Sequence, residues 1–294
     1  DLLSAIRELD TREAIRSLDG YRTRSLSCRQ LYGRIGSCVN LLDEMSFQKG
    51  DRLVIWGENR PEWVIAFWAC LARGGVAVPL DFRSSPQFVE SVQQDVNASL
   101  LVCCDQVDSG DLKTPGISMN EIASLGEKES LQICANLTAL EPGIDPYRKY
   151  LNLVQPFRIL NLLPLSHMFG QSLGITIPIM LGSSAVFMQD LHPDAIIETT
   201  RRERVSVLVL VPRVLQALQR HVGGIFDLSS LGSTEGSGLL RRCWQFRRVH
   251  SVFGWKFWFF VGGGARVDTR MESFWSRLGF GVVQGYGLTE ASPV

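Results

Sequence analysis

Between residues 51 and 80 the chain spells a strand, a helix and a second strand in close succession. Leu53-Val54-Ile55-Trp56 is a continuous apolar run of strand length. Glu58-Asn59-Arg60-Pro61-Glu62 follows as a loop, and Pro61 suits the first turn of a helix, where its missing N–H costs nothing. Trp63 to Leu71 is a strongly apolar helix. Gly74-Gly75 ends it, and Val76-Ala77-Val78-Pro79-Leu80 is the next strand. Two strands joined through a helix run parallel, because an antiparallel pair needs only a tight turn. The unit predicts an α/β fold with mostly parallel sheets flanked by helices.

The flanking segments extend this pattern. Ala14 to Arg24 reads as a hairpin turning at Asp19-Gly20. Ser27 to Met45 reads as an amphipathic helix, with Ser27 as its N-cap and Leu31, Ile35, Val39 and Leu42 on one face. A helix over Phe88–Asn97 and a buried strand over Leu100–Cys103 come next. The polar stretch 105–130 is a loop region with a strand near Ile117 and a short helix near Ile122. Further strands are expected at Arg158–Leu163, Ala185–Met188, Val205–Val211 and Phe257–Val261, and at Val282-Val283. Helices are expected from Pro193 to Arg204 and from Pro212 to about His221. Leu231 to Gly238 is a Gly/Ser/Thr linker. Leu239 to His250 reads as one helix, with Leu240, Cys243, Trp244 and Arg247 on one side. Together with Trp255-Lys256-Phe257-Trp258 it raises a membrane-surface patch, against the plainer reading of an aromatic face packed on the core.

Composition narrows the function classes. With 294 residues the chain can bury a large core, and 30 basic residues balance 30 acidic ones. Zero net charge argues against nucleic-acid binding as the main role. The seven cysteines form no C-x-x-C pair and no metal-ligand spacing with the four histidines, which predicts buried free thiols in a reduced, cytoplasmic protein. The opening residues do not read as a secretory signal. The longest apolar run, Leu173 to Met188, is interrupted by Pro178 and is too short to span a bilayer comfortably; a buried helix–turn–strand is expected there.

Chemistry concentrates in Gln284-Gly285-Tyr286-Gly287-Leu288-Thr289-Glu290. Two glycines flank an aromatic ring at the end of a strand, where backbone can approach a ligand closely. Tyr286 offers a stacking face, Thr289 a hydroxyl, and Glu290 an oxygen ligand for a hard cation. An ordinary strand–turn–helix start with Thr289 as cap is the alternative. The string resembles the Y-G-x-T-E motif of the adenylate-forming superfamily: acyl-CoA synthetases, fatty acid–AMP ligases, luciferases and peptide-synthetase adenylation domains. Other stretches extend the resemblance: the Gly50–Asp81 unit, Leu163-Pro164-Leu165-Ser166-His167-Met168-Phe169-Gly170, Val207–Leu215, and Gly262-Gly263-Gly264-Ala265. It is closest to bacterial long-chain acyl-CoA synthetase-like ligases.

The resemblance implies a layered large N-terminal domain, divided at about residue 130, and ATP-dependent activation of a carboxylic acid of the fatty class to acyl-AMP with transfer to a thiol such as coenzyme A. It implies that Tyr286, Gly285, Gly287 and Gly262 to Gly264 hold adenine, that Thr289 and Glu290 meet phosphate and Mg²⁺, and that His167 lines the acyl and thiol pockets. His192, His221 and His250 are read as surface or packing residues, and Asn59, Arg60 and Asp81 as loop caps. Peripheral membrane contact is compatible with the resemblance. Two features depart from the family pattern. The glycine-rich T-S-G-T-x-G-x-P-K-G phosphate loop has no counterpart: Glu127–Ser130 runs straight into Leu131–Leu137, where Ala135-Asn136-Leu137 resembles the tail of the helix that follows that loop. The family's ribose-binding aspartate, hinge and C-terminal lysine, which lie beyond the point matching Val294, cannot be assigned. The expectation is therefore an impaired enzyme, with an inactive adenylate- or acyl-binding remnant, or an incomplete gene model, as the alternative.

Overall fold

The computed structural model describes residues 6–20, 22–104, 114–127, 157–226, 228 and 238–285. A hairpin of β1 (Glu13–Asp19) and β2 (Arg22–Ser27) comes first. Helix α1 (Cys28–Glu44) follows at once, started by a capping box: the Gln30 N–H donates to Ser27 Oγ at 3.2 Å, and the Ser27 N–H to Gln30 Oε1 at 3.0 Å. The expected βαβ unit is β3 (Arg52–Trp56), α2 (Pro61–Ala72) and β4 (Val76–Leu80). Then come α3 (Pro86–Asp95), β5 (Leu100–Cys103), β6 (Gly116–Ser118) and α4 (Met119–Ser124). These four later strands make a parallel sheet in the order β4-β3-β5-β6. Pro79 is tolerated because β4 lies at an edge.

The second half supplies β7 (Arg158–Asn161), α5 (Met168–Gln171), a π-helical turn at Ser172–Thr176, α6 (Ile177–Met180) and β8 (Ser184–Phe187). The run Leu173–Met188 is thus a helix–turn–strand, as expected. After it come α7 (Pro193–Arg202), β9 (Val207–Leu210), α8 (Pro212–Ile225), α9 (Leu239–Gln245), α10 (Arg247–Phe253), β10 (Phe259–Gly262), α11 (Thr269–Leu278) and β11 (Gly281–Gln284). The larger sheet has the order β11-β10-β9-β7-β8-β1-β2 and is parallel except at the hairpin.

Helices α1 and α2 lie between the two sheets. Their core takes in Leu31, Ile35, Trp63 and Trp68 from the helices, Leu53 and Ile55 from the small sheet, and Ala185 and Phe187 from the large one. Burial pushes the Cys38 and Cys70 thiols up to about 12 and Cys28 to about 11, so they stay protonated and unreactive. The outer face of the large sheet packs Leu160, Val186, Leu208 and Phe260 against α7, α8, α10 and α11. The outer face of the small sheet packs Val54 and Leu101 against Val89 of α3.

One expectation changes. Residues 239–250 do not form a single helix: the chain breaks at Phe246, whose φ of −101° and ψ of 28° leave the helical region. The break lets Phe246, Val249 and Phe253 enter the core while Trp244 stays 71% exposed. The aromatic side chains are therefore divided between core and surface, which one helical face could not achieve.

Candidate ligand site at the ends of the large sheet

Strands β9, β10 and β11 are parallel and in register, with Leu210, Gly262 and Gln284 level with one another. Their carboxyl ends open on one side, where α/β sheets bind ligands. The ladder runs one step further: the Gly263 N–H donates to Leu210 O and the Gly285 N–H to Gly262 O, both at 3.0 Å. Both glycines are required by one side chain. A Cβ on Gly263 would lie 2.2 Å from Phe169 Cδ1, and one on Gly285 would lie 2.1 Å from Phe169 Cζ. The Phe169 ring is seated across both strand ends. Gly264 is different: with φ at +79° it turns the chain, and a Cβ there would meet only Val211 Cγ1, at 3.9 Å. Over Gly263 and Gly285 the ring itself fills the space, and the backbone left open is at Gly264.

Phe169 is the second residue of α5, which follows the loop after β7, and two asparagines fix that loop. Asn161 is fully buried; its Nδ2 donates to Leu163 O at 3.1 Å and its Oδ1 accepts from Leu163 N at 3.2 Å. Asn59, at the end of β3 in the other sheet, donates from Nδ2 to Leu163 O at 2.7 Å and accepts at Oδ1 from Leu165 N at 2.9 Å. Asn59 is thus a cap, as its position in the sequence implies, but the loop it caps lies more than a hundred residues away. His167 is exposed and N-caps α5 with no side-chain bond to the helix. The neighbouring Ser166 Oγ is buried with no hydrogen-bond partner, which leaves a polar atom for a ligand or water to satisfy.

Among the predicted site residues, then, the structure brings Gly262, Gly263, Gly264 and Gly285 together and sets the His167 loop against them. Tyr286, Gly287, Thr289 and Glu290 lie outside the described residues, as do the Glu127–Leu137 junction beyond Glu127 and the 231–237 linker. Among the described residues no group of three His, Cys, Asp or Glu could hold a metal ion. Arg60 pairs with Glu62 at 3.2 Å, and Asp81 Oδ1 accepts from the Arg83 N–H at 2.9 Å. The other histidines have structural partners: His192 and His221 lie 3.3 and 3.0 Å from Asp194, and His250 Nε2 lies 2.9 Å from Leu278 O. The residue that sequence reasoning missed is Phe169. It stands inside the motif that singled out His167, but its contacts with two distant glycines are tertiary and leave no local signal.

Comparisons with known proteins bear on the family and the fold. A family model described as AMP-binding enzyme matches residues 5–142 and 129–294. A feruloyl-CoA synthase of Amycolatopsis is 25% identical over 304 residues, covering 92% of this chain and 55% of the relative. The long-chain-fatty-acid–CoA ligase FadD15 of Mycobacterium bovis is 25% identical over 354 residues, covering 94% of this chain and 58% of the relative. The chain thus spans a little over half the length of these curated relatives. The fold matches O-succinylbenzoate coenzyme A synthetase of Bacillus subtilis in complex with AMP, at a TM-score of 0.70 and 19% identity over 99% of this chain and 74% of that one. It also matches the inhibitor-bound N-terminal domain of FACL13 from Mycobacterium tuberculosis, at 0.72 and 17% identity over 99% and 76%. Among the described residues no helix is long and apolar enough to cross a membrane. With a family model matched along nearly its whole length, the chain belongs to the AMP-binding enzymes.

Proposed function

We propose that this chain carries the acid- and adenylate-binding part of an AMP-forming acid–thiol ligase, acting on a carboxylic acid of the fatty class in the cytoplasm, and that its own activation chemistry is impaired. The observation that carries the reading is the meeting of the Phe169 loop with Gly263 and Gly285 at adjacent strand ends. In the reaction, a carboxylate oxygen attacks the α-phosphorus of ATP, the bond to pyrophosphate breaks, and a thiolate then displaces AMP from the acyl carbon. Gly262 to Gly264, Gly285 and Gly287 are the backbone rim for adenine, with Tyr286 stacked on it, Thr289 at the phosphate and His167 on the wall of the acyl and thiol pockets. Mg²⁺ supplies charge neutralisation on the phosphate oxygens when bound, and Glu290 is its assigned ligand. We read residues 1–130 and 131–294 as successive α/β parts of one N-terminal AMP-binding domain.

Impairment is supported by the Glu127–Leu137 junction, which holds no glycine-rich loop to wrap phosphates with backbone N–H groups. The two segments of the family match meet there. The alignment to the M. bovis ligase is longer than this chain, so positions of the relative have no counterpart here. The test is ATP–pyrophosphate exchange with a panel of fatty and aromatic acids. The 294-residue chain is expected to give none, and a chimaera carrying a relative's phosphate loop and remaining sequence is expected to regain it. Exchange by the unaltered chain would overturn the proposed impairment, and a folded chimaera without exchange would overturn the assignment of the site.

A further inference from the structure

The opposite end of the large sheet carries an unusual surface. Residues 241–258 contain five basic side chains, three tryptophans and no acidic residue, in a chain whose net charge is zero. All three tryptophans are exposed: Trp244 by 71%, Trp255 by 62% and Trp258 by 44%. Large aromatics ordinarily supply core area, and this segment does bury Phe246, Phe253 and Phe257. Its tryptophans are therefore outside by pattern and not for want of a core.

Hydrogen bonds and ring contacts place them together. The Trp258 N–H donates to Ser206 O at 3.0 Å, and Trp258 O accepts from Gly281 N at 2.9 Å, so Trp258 sits where β9, β10 and β11 begin. Trp255 stacks on the buried His250 with ring centroids 6.0 Å apart, and His250 stacks on Phe280, the residue before β11, at 4.2 Å. Trp244 is on α9, which Arg242 ties to the last turn of α11 through a 3.1 Å bond to Ser276 O. The Arg247 guanidinium lies over the Trp244 ring at 5.2 Å. The basic set continues onto the end of α7, where Arg201 borders Gly254. The acid nearest in sequence to Arg201 and Arg202, Glu203, is buried and already paired with Arg16 and Arg202.

We infer that this strand-entry end, with Trp244, Trp255 and Trp258 among Arg241, Arg248 and Lys256, docks the protein on an anionic lipid surface. Tryptophan rings favour the headgroup level, and long basic side chains reach anionic headgroups while their stems lie on apolar surface. A second copy of the chain is a poor occupant, because a twofold contact would set this basic surface against itself. The candidate ligand site lies at the other end of the same strands, about 13 Å from Trp258 to Gly262 by strand rise, so docking here leaves its mouth free. The inference is independent of the ligase reading.

The test is co-sedimentation of the chain with vesicles of phosphatidylcholine alone and of phosphatidylcholine mixed with phosphatidylglycerol, at low and high salt. Binding is expected only with the anionic vesicles and is expected to weaken with salt. The double substitution Arg248→Glu, Lys256→Glu is expected to lower partitioning about tenfold or more. Arg213→Glu with Arg266→Glu, the same change of net charge on exposed residues at the strand-exit end, is expected to cost far less. Brominated lipid is expected to quench tryptophan emission, and Trp244→Ser with Trp255→Ser to remove most of that quenching. No vesicle binding, equal binding to neutral vesicles, or equal losses at the Arg213 and Arg266 pair and at the patch would overturn the inference. So would a patch that captures single-stranded nucleic acid but not anionic vesicles.

Discussion

Helix α2 and strands β10–β11 are both apolar, and the fold treats them in opposite ways. Packed between two sheets, α2 has Trp63, Val64, Ile65, Ala66, Trp68 and Ala69 without exposed surface. Strands β10 and β11 are covered on one face by α11 and its neighbours. On the other face Phe259 is 46% and Val283 50% exposed, although Phe259 lies across Gly281. The first region draws most of its environment from nearby sequence, since α1, β3, β4 and β5 all come from the same hundred residues, and the large sheet adds Ala185 and Phe187. The second borrows its cover, with Phe169, Leu173 and Ile177 reaching over from the helical segment α5–α6 to only part of the sheet. The first region is therefore buried throughout, and the candidate site is built in the second, where side chains and backbone remain reachable.

The largest expected effect comes from breaking the fully buried region. Trp68→Ala removes a fully buried ring and is expected to cost about 4 kcal/mol, read as a shift in urea midpoint with unchanged slope. Phe259→Ala, also an aromatic truncation, is expected to cost about 1 kcal/mol or less because the ring is half in water already. Equal costs would erase the contrast between the two regions.

A smaller effect should come from the junction of loop and strands. Gly285→Ala places a methyl group in the Phe169 ring and is expected to cost about 2 kcal/mol by overpacking. Phe169→Leu should relieve part of that loss, so the double substitution should be less damaging than the sum of the single ones. A double-mutant cycle on denaturation midpoints measures the coupling. Strict additivity would mean that the ring and the strand end do not share that space.

Much of this arrangement was legible beforehand, for reasons that differ by element. The βαβ unit, the Ser27-capped helix and the hairpin turning at Gly20 are set by local periodicity, caps and turn residues. The glycines at 262–264 stand out through the family resemblance and Gly285 through the turn it makes, and at 263 and 285 a Cβ has no room. What they approach was not legible, since Phe169 is more than ninety residues from either partner and reaches them only after the sheet forms. Asn59 likewise reads as a loop cap in sequence, and its partners Leu163 and Leu165 are supplied by the other sheet. The break at Phe246 escaped because helical periodicity through 239–250 is satisfied either way; the demand of the core for Phe246, Val249 and Phe253 decides it. Helix α11 was not anticipated as an element, although Asp268 caps it through Oδ1.

Calorimetric titration of the chain with AMP and with ATP, each with and without Mg²⁺, bears most directly on the claim that adenylate binds at the ends of β10 and β11 without a phosphate cradle. AMP is expected to bind weakly, at least as well as ATP, and with little dependence on Mg²⁺. Base stacking is worth about 1–3 kcal/mol, roughly five- to over a hundredfold in affinity. Tyr286→Ala should therefore remove most of the binding, while Glu290→Gln should change little. Tight, Mg²⁺-dependent ATP binding that survives Tyr286→Ala would contradict the account.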